Sequence, residues 1–128
     1  MIFPDTSVWV AAFRRRDSTE AMRLATLMDE SHVALSTPVR VEILSGCSSR
    51  ELPRMQRLLS SFPLFAPSQD TWGLLERWLS KTTAAGERFG LVDLLIAAIA
   101  AERGGLVWSL DSAFARLAKL RLVKPYRF

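Results

Sequence analysis

Short apolar runs alternate along the chain with longer segments in which apolar residues recur at helical spacing. The short runs predict strands at residues 1–3, 33–35, 64–66 and 106–110, with a last edge strand at 122–123 closed by Pro125. The longer segments predict helices at residues 6–13, 38–45, 52–60, 69–83, 91–103 and 112–119, and a further helix that Asp17 or Ser18 caps and that includes Met28. Thr37 and Ser68 are suited to cap two of these helices, and Gly46 is suited to end one.

Strands that alternate with helices predict an α/β fold, in which a parallel sheet is covered by helices on both faces. The sequence contains no internal repeat, low-complexity tract or linker that would divide it, so we expect one domain spanning residues 1–128. In such folds, ligands gather outside the carboxyl ends of the strands. Residues at this edge are therefore the first candidates for a functional site.

Four acidic residues are predicted to lie near that edge. Asp5 and Asp111 directly follow strands, and Glu42 lies about one helical turn beyond another. Asp93 is in the first turn of the helix at 91–103, which descends about 18 Å before the next strand climbs about 16 Å. The chain thus returns to its starting level, and the sequence predicts that all four carboxylates share one rim. Carboxylates gathered in this way repel one another unless a divalent cation holds them together.

Each acid also has a purely structural interpretation. Asp5 and Asp111 are suited to cap helices, and Glu42 is suited to a solvent-facing helical position. Asp93 is harder to explain, because it is embedded in an apolar segment where an unpaired carboxylate would cost several kcal/mol of desolvation. We therefore expect a metal ion or a buried hydroxyl network at Asp93.

The charge balance favours a polyanionic partner. The chain of 128 residues carries a formal net charge of +4, and neutralising the four carboxylates would leave 4 + 4 = +8 on the remaining surface. A sequence pI near 10.0 is typical of proteins that bind nucleic acid, although solubility alone also explains it.

The rarer residues exclude several classes of site. Cys47 is the single cysteine and His32 the single histidine, which excludes an intramolecular disulfide and argues against a zinc site or a Ser-His-Asp triad. No basic leader precedes an apolar core, and the longest apolar stretch is too short to span a bilayer. We therefore expect a cytoplasmic protein with no membrane association.

Four segments, in order and spacing, resemble the motifs of PIN-domain ribonucleases, and the short length resembles the VapC toxins of bacterial toxin-antitoxin pairs. These segments are Asp5-Thr6-Ser7-Val8, Thr37-Pro38-Val39-Arg40-Val41-Glu42-Ile43-Leu44-Ser45-Gly46, Asp93-Leu94-Leu95-Ile96-Ala97-Ala98 and Ser109-Leu110-Asp111-Ser112-Ala113-Phe114. The resemblance implies a single PIN domain, with a three-layer α/β/α sandwich around a short, mostly parallel sheet of four to five strands. It also implies endonucleolytic cleavage of RNA by a toxin that a cognate antitoxin neutralises, and a homodimer.

The resemblance also implies roles for individual residues. Asp5, Glu42, Asp93 and Asp111 would be the catalytic carboxylates that bind Mg²⁺ or Mn²⁺. Supporting hydroxyls would come from Ser7, Thr6 and Ser109. One position departs from the family pattern, because many relatives carry a further acid where this chain has Ala113, so a second metal ion would depend on Asp111.

Basic residues near the predicted rim are candidates for contacts with the RNA backbone. They are Arg14, Arg15, Arg16, Arg88, Arg116 and Lys119. Each is equally suited to a solvated surface position.

Three other functions compete with the nuclease. A catalytically weak PIN-like protein would bind RNA without cutting it. An aspartate-dependent phosphatase of the haloacid dehalogenase type also begins with Asp after its first strand, but it would carry a second Asp where this chain has Ser7. A structural or partner-binding protein would use Trp9, Trp72 and Trp78 as contact surface, although tryptophans at such spacing more often form core.

Overall fold

The computed structural model describes residues 1–128. Its five short strands are β1 (Ile2–Pro4), β2 (Leu35–Ser36), β3 (Leu64–Phe65), β4 (Leu106–Trp108) and β5 (Lys124–Pro125). Its seven helices are α1 (Thr6–Arg14), α2 (Thr19–Asp29), α3 (Thr37–Ser45), α4 (Leu52–Leu59), α5 (Gln69–Ala84), α6 (Leu91–Glu102) and α7 (Ser112–Lys119).

All strand pairs in the structure are parallel, which confirms the predicted α/β fold. β1, β4 and β5 form a three-stranded sheet in the order β1-β4-β5, and β2 pairs with β3. The two groups meet at an isolated bridge between Ile2 and Val33, where Ile2 N donates to His32 O and Ala34 N donates to Ile2 O, both at 2.8 Å. The strands therefore follow one another in space as β3-β2-β1-β4-β5.

This strand order places helices on both faces of the sheet. Successive crossovers run in one direction from β1 through β2 to β3, and in the opposite direction from β3 to β4 and β5. Because parallel crossovers are right-handed, the reversal moves the later helices to the other face. The carboxyl ends of all five strands share one edge, with β1 in the middle.

A single cluster of 27 buried residues forms the core. β1 contributes Phe3 and α1 contributes Trp9, whose ring packs edge-on against Phe62 at a centroid distance of 5.4 Å. Helix α6 is the most deeply buried helix, since every residue from Leu94 to Ala100 except Leu95 is buried. No helix of the structure is long and apolar enough to span a membrane.

Several predicted strand boundaries are wrong. The strands predicted at 1–3 and 33–35 span Ile2–Pro4 and Leu35–Ser36 instead, and the last two strands differ as well. The strand predicted at 106–110 ends at Trp108, because the next residues turn to begin α7. The edge strand predicted at 122–123 is instead formed by Lys124 and Pro125. Arg121 adopts a left-handed φ of 61° after α7, and Leu122 N then donates to Leu117 O at 3.1 Å, which directs Leu122 and Val123 into the core. Proline fits β5 because this strand lies at the edge of the sheet.

One predicted helix cap is also shifted. The N-cap of α3 is Ser36 rather than Thr37, which is already the first helical residue. Pro38 therefore follows within the first turn, where its missing N–H costs no hydrogen bond.

Gly105 lies where the chain approaches β1 too closely for any side chain. A Cβ at this position would lie 2.5 Å from Cε2 of the buried Phe3 and 3.2 Å from the carbonyl oxygen of Met1. We expect Gly105→Ala to lower the free energy of unfolding by about 1–3 kcal/mol, measured by urea denaturation, because Phe3 must move within a packed core.

Gly73→Ala is the matched control. Gly73 lies inside α5, and an added Cβ would meet only Arg77 Nη1, at 3.6 Å. The same substitution should therefore raise stability by up to about 1 kcal/mol through helix propensity. Equal effects at the two glycines would contradict the close approach at Gly105.

Candidate active site

Asp5 lies at the centre of the strand edge and is the most deeply buried acid of the chain. It follows β1 directly, and its backbone N–H donates to Trp108 O at 2.9 Å, which ties the end of β1 to the end of β4. Its side chain is 4% exposed and caps α1 by accepting a hydrogen bond from Val8 N. The Asp5 carboxylate therefore caps α1 and also lies at the strand edge, where a functional site is expected.

Hydroxyl groups from both sides hold the Asp5 carboxylate in place. Ser7 Oγ donates to Oδ1, and Ser109 Oγ donates to Oδ2 at 2.6 Å. Burial raises the pKa of Asp5 above its usual value, and the hydrogen bonds from Ser109, Ser7 and Val8 oppose this shift. These donors provide the hydroxyl network that a buried carboxylate requires.

The same hydroxyls position the loop that carries Asp111. Leu110 N donates to Ser7 Oγ at 3.0 Å, and Asp111 N donates to Ser109 Oγ at 2.9 Å. Asp111 itself is exposed and caps α7 by accepting from Ala113 N at 2.9 Å. The loop after β4 is therefore fastened to the start of α1, with Asp111 on its solvent side.

Asp93 is only partly buried, which corrects the expectation that it is embedded in apolar surroundings. Its predecessors Leu91 and Val92 are 60% and 41% exposed, because the first turn of α6 projects beyond the core. The buried hydroxyl network expected at Asp93 is found instead at Asp5.

Electrostatic repulsion links Asp93 to the other three acids. Burial raises the pKa of Asp93 most, and the carboxylates of Asp111, Asp5 and Glu42 raise it further, in that order. The guanidinium of Arg116 opposes these shifts. The other three predicted acids thus all lie within interaction range of Asp93 at the strand edge.

Glu42 completes this acidic group from the side of β2. It is exposed on α3, as its structural interpretation predicted, and it accepts a hydrogen bond from Thr6 Oγ1 at 2.5 Å. Because Thr6 is the first residue of α1, this bond joins α3 to the residue next to Asp5.

The donor set is suited to a hard divalent cation, but it does not form a closed cage. All the candidate ligands are carboxylate or hydroxyl oxygens, which Mg²⁺ and Mn²⁺ prefer. No three acidic, histidine or cysteine side chains are arranged closely enough to hold a metal ion between them. Mg²⁺ commonly uses only one or two protein carboxylates and completes its shell with waters and substrate phosphate oxygens, so the residues present fit such an ion.

The three predicted arginines at the end of α1 differ in their surroundings. Arg14, Arg15 and Arg16 are all exposed. Arg15 Nε lies 3.4 Å from Asp17 Oδ1, whereas Arg14 and Arg16 line a groove that also contains Glu42. Arg14 and Arg16 therefore lie beside the acidic group without a salt-bridge partner.

The remaining predicted cations lie on the other side of the acidic group. Arg88 is exposed in the loop before α6. Arg116 forms an ion pair with Glu87 and lies over the ring of Phe89, 4.6 Å from its centroid, so its guanidinium is already engaged. Lys119 lines a cleft that also contains Asp111.

Sequence reasoning missed two residues of that cleft, Tyr126 and Arg127. They follow β5, and no motif marks them. Once Pro125 is seen to pair beside Val107 rather than to end an earlier strand, their position near Asp111 follows.

Comparison with known proteins identifies relatives that match along the whole chain. The model of the PIN domain family matches residues 2–120. VapC ribonuclease Mb1587 of Mycobacterium bovis and ribonuclease VapC11 of Mycobacterium tuberculosis are each 30% identical over 133 residues, covering 100% of this chain and 99% of each relative.

Solved structures share the fold at lower sequence identity. VapBC2 of Rickettsia felis, bound to a DNA fragment from its promoter, has a TM-score of 0.79 at 19% identity, with 100% of this chain and 99% of that chain covered. VapC20 of Mycobacterium tuberculosis, a toxin that cleaves the sarcin-ricin loop, has a TM-score of 0.67 at 22% identity, with 98% and 100% covered. These similarities confirm the predicted PIN-like α/β/α fold.

Repulsion within the acidic group predicts a pH-dependent stability. A raised pKa means that the folded state binds the Asp93 proton more tightly than the unfolded state, so stability falls as pH rises above the usual value of 3.8. We expect Asp93→Asn to raise the thermal unfolding temperature in EDTA at about pH 7.5, and this gain to disappear as pH falls towards about 4.

Asp70→Asn is the matched control for this measurement. Asp70 is the exposed acid in the first turn of α5, so its substitution removes the same favourable interaction with a helix N-terminus. It should leave the unfolding temperature unchanged or slightly lower. A similar gain in both variants would show that the other carboxylates do not destabilise Asp93.

Proposed function

The chain belongs to the PIN-domain family, and we propose that it is a divalent-metal-dependent endoribonuclease that acts as a VapC-type toxin. The observation that carries this proposal is the group of four carboxylates at one strand edge, where Asp111, Asp5 and Glu42 all raise the pKa of Asp93. Its full-length relatives at 30% identity are named as VapC ribonucleases, which supports the same activity.

Mg²⁺ or Mn²⁺ is the proposed cofactor, with Asp5 and Asp93 as its main ligands and Glu42 and Asp111 as additional ones. When bound, such an ion supplies an activated water and neutralises charge on the phosphate. A cation here would also relieve the repulsion that Asp93 experiences from the other acids. In hydrolysis, a bond forms between water oxygen and phosphorus while the bond to the leaving ribose oxygen breaks.

The chain's own residues orient this site. Ser7 and Ser109 donate to opposite oxygens of Asp5 and so fix the plane of its carboxylate. Thr6 similarly restrains Glu42. At Ala113 the side chain is buried and offers no oxygen, so any second ion would rest on Asp111.

The proposed substrate is RNA, which the basic surface beside the acids would attract. The chain has a net charge of +4 even with the four site carboxylates counted. Arg14, Arg16 and Lys119 lack salt-bridge partners and line grooves that contain Glu42 or Asp111, and Arg88 is also exposed. Arg15 and Arg116 are partly neutralised by Asp17 and Glu87, so we assign them smaller contributions.

The proposed protein partners are a cognate antitoxin, which would neutralise the toxin by covering the acidic site, and a second copy of the chain. Several of the structural relatives are VapBC toxin-antitoxin complexes, which supports the first partner. We propose that the protein acts in the cytoplasm, where its RNA substrate would be found.

The competing functions are less well supported. A phosphatase of the kind considered above would need an acid at residue 7, but Ser7 uses its hydroxyl to support Asp5. A protein that only binds RNA would not need three further carboxylates close enough to Asp93 to repel it, beside its basic grooves.

Metal-dependent RNA cleavage tests the proposal. We expect the wild-type protein to cleave single-stranded RNA in Mg²⁺ or Mn²⁺ and to lose this activity in EDTA. Asp5→Asn and Asp93→Asn should reduce cleavage to the level seen in EDTA, because each removes a carboxylate charge from the proposed metal site. Electrophoresis of a labelled RNA measures the products.

Asp70→Asn is again the control, since it makes the same chemical change at an exposed acid of α5. It should retain wild-type cleavage. Undiminished activity in the two site variants would refute the assignment of the site, whereas RNA binding without cleavage by the wild type would favour the binding-only function.

Because Ser109 only supports Asp5, we expect its substitution to reduce cleavage activity partly rather than completely. Ser109→Ala removes one donor to Asp5 and one acceptor for Asp111 N. Loss of such a supporting contact costs roughly 10–100-fold in activity or metal affinity. We expect a loss in this range, which higher metal concentration partly restores. Ser80→Ala, at an exposed serine of α5 whose hydroxyl donates to Arg77 O, should have no effect.

A further inference from the structure

A cleft beside Asp111 extends the acidic site towards the C-terminus of the chain. It has a volume of about 480 Å³, within the range of roughly 300–1,000 Å³ that is typical of ligand sites. Val107, Phe114 and Val123 give it an apolar floor, and Ser109 and Asp111 form its end at the acidic group. The cleft is therefore continuous with the site proposed to cut RNA.

Two cations without salt-bridge partners belong to this cleft. Lys119 on α7 and Arg127 after β5 are both exposed, and neither pairs with an acid. Unpaired cations beside an apolar floor are suited to a ligand that combines a phosphate with a flat apolar surface. An unpaired nucleotide of RNA has both of these features.

Tyr126 supplies an aromatic wall that is held in place from outside the cleft. Arg23 Nε donates to the Tyr126 hydroxyl at 2.5 Å, and its guanidinium carbon lies 5.6 Å from the ring centroid. Trp108 packs on the same ring at a centroid distance of 5.6 Å, and Phe128 stacks on it at 5.9 Å, and neither of these two residues lines the cleft. The wall is thus ordered without a ligand, which lowers the entropic cost of binding.

The order of the strands explains why a polymer would reach this cleft. Glu42 and the groove with Arg14 lie on the β2 side of Asp5, whereas Asp111 and the cleft lie on the β4 side. A strand of RNA cut at Asp5 must leave the acidic group on both sides. Cations without salt-bridge partners border the RNA path on both sides, in the groove with Arg14 and in the cleft with Lys119.

We propose that this cleft binds an unpaired nucleotide of the RNA substrate next to the scissile phosphate, with its base against Tyr126 and its phosphate at Lys119 and Arg127. The proposal rests on the proposed ribonuclease function and adds a binding subsite to it. Contacts of this kind favour RNA loops and single strands, because a base in a duplex is not available for stacking.

Binding and cleavage of a fluorescent single-stranded RNA test the proposal. Tyr126→Leu should raise KM on the order of tenfold with a smaller change in kcat, since stacking of one base is worth about 1–3 kcal/mol. Tyr126→Phe keeps the ring but loses the hydrogen bond from Arg23, so it should raise KM by less than Tyr126→Leu does. Tyr126→Leu also loses the contact with Trp108. The thermal unfolding temperature of this variant shows whether that loss destabilises the fold.

The exposed cations provide a test that does not depend on core packing. The dissociation constant is measured in EDTA over a series of salt concentrations, where each lost phosphate contact lowers the slope of log K against log salt by about 0.7. Lys119→Gln and Arg127→Gln should each show this decrease. Lys124→Gln is the control, because Lys124 is exposed on β5 but does not line the cleft.

The outcomes separate this proposal from the one on which it rests. Wild-type cleavage together with unchanged KM and salt slopes in all the variants would overturn the subsite and leave the ribonuclease intact. No cleavage by the wild type would refute the ribonuclease, while weaker RNA binding by the cleft variants would still support the subsite. Weaker binding of a co-produced antitoxin, with RNA binding unchanged, would assign the cleft to a protein instead.

Discussion

Two serine hydroxyls, from Ser7 and Ser109, donate hydrogen bonds to the two oxygens of the buried Asp5 carboxylate. These serines belong to different parts of the chain, one in the first turn of α1 and the other after β4. A buried carboxylate without such donors would cost several kcal/mol or would take up a proton. The need to satisfy Asp5 therefore fixes how the ends of β1 and β4 meet. The positions of Asp111 and the cleft beside it depend on that junction.

Capping and chemistry do not compete as explanations for these acids. Asp5 and Asp111 both cap helices, and both do so with Oδ1. Capping turns each residue away from the strand and sets the direction in which its second oxygen points. The local rule that favours aspartate at a helix start thus also orders the acidic rim. Where helices begin at the carboxyl edge of a parallel sheet, the same residue can therefore both cap a helix and belong to a functional site.

The sequence was sufficient to predict the order of strands and helices and the edge at which the acids gather, because both follow from local periodicity and parallel connections. The sequence was not sufficient to predict which acid is buried at that edge. Asp93 was expected to be the buried acid since its neighbours are apolar, but Leu91 and Val92 project into solvent. Asp5 is buried instead, because β4 and its serine close over it. Such contacts join residues more than 100 positions apart.

The C-terminal segment shows the same limit. A left-handed residue, Arg121, shifts the last strand by two positions, and no hydrophobic pattern records that shift. Only the shifted register brings Tyr126 and Arg127 to the cleft. Those two residues carry the proposed subsite, although Asp111, at the end of the same cleft, is recognisable from its motif. The acidic rim can be recognised from local motifs, whereas the surface proposed to receive the substrate depends on the three-dimensional path of the chain.

The arrangement of charge gives a physical reason for coupling metal and RNA. Asp93 experiences repulsion from three carboxylates, and the same negative field would repel a phosphate from the rim. The unpaired cations Arg14, Arg16 and Lys119 lie in the grooves beside the rim rather than within it. In the proposed complex they would hold the RNA backbone on either side, and the central phosphate would face the acids. The divalent cation proposed at the rim would reverse that repulsion, and the phosphate would in turn supply oxygens that the protein's open ligand set lacks.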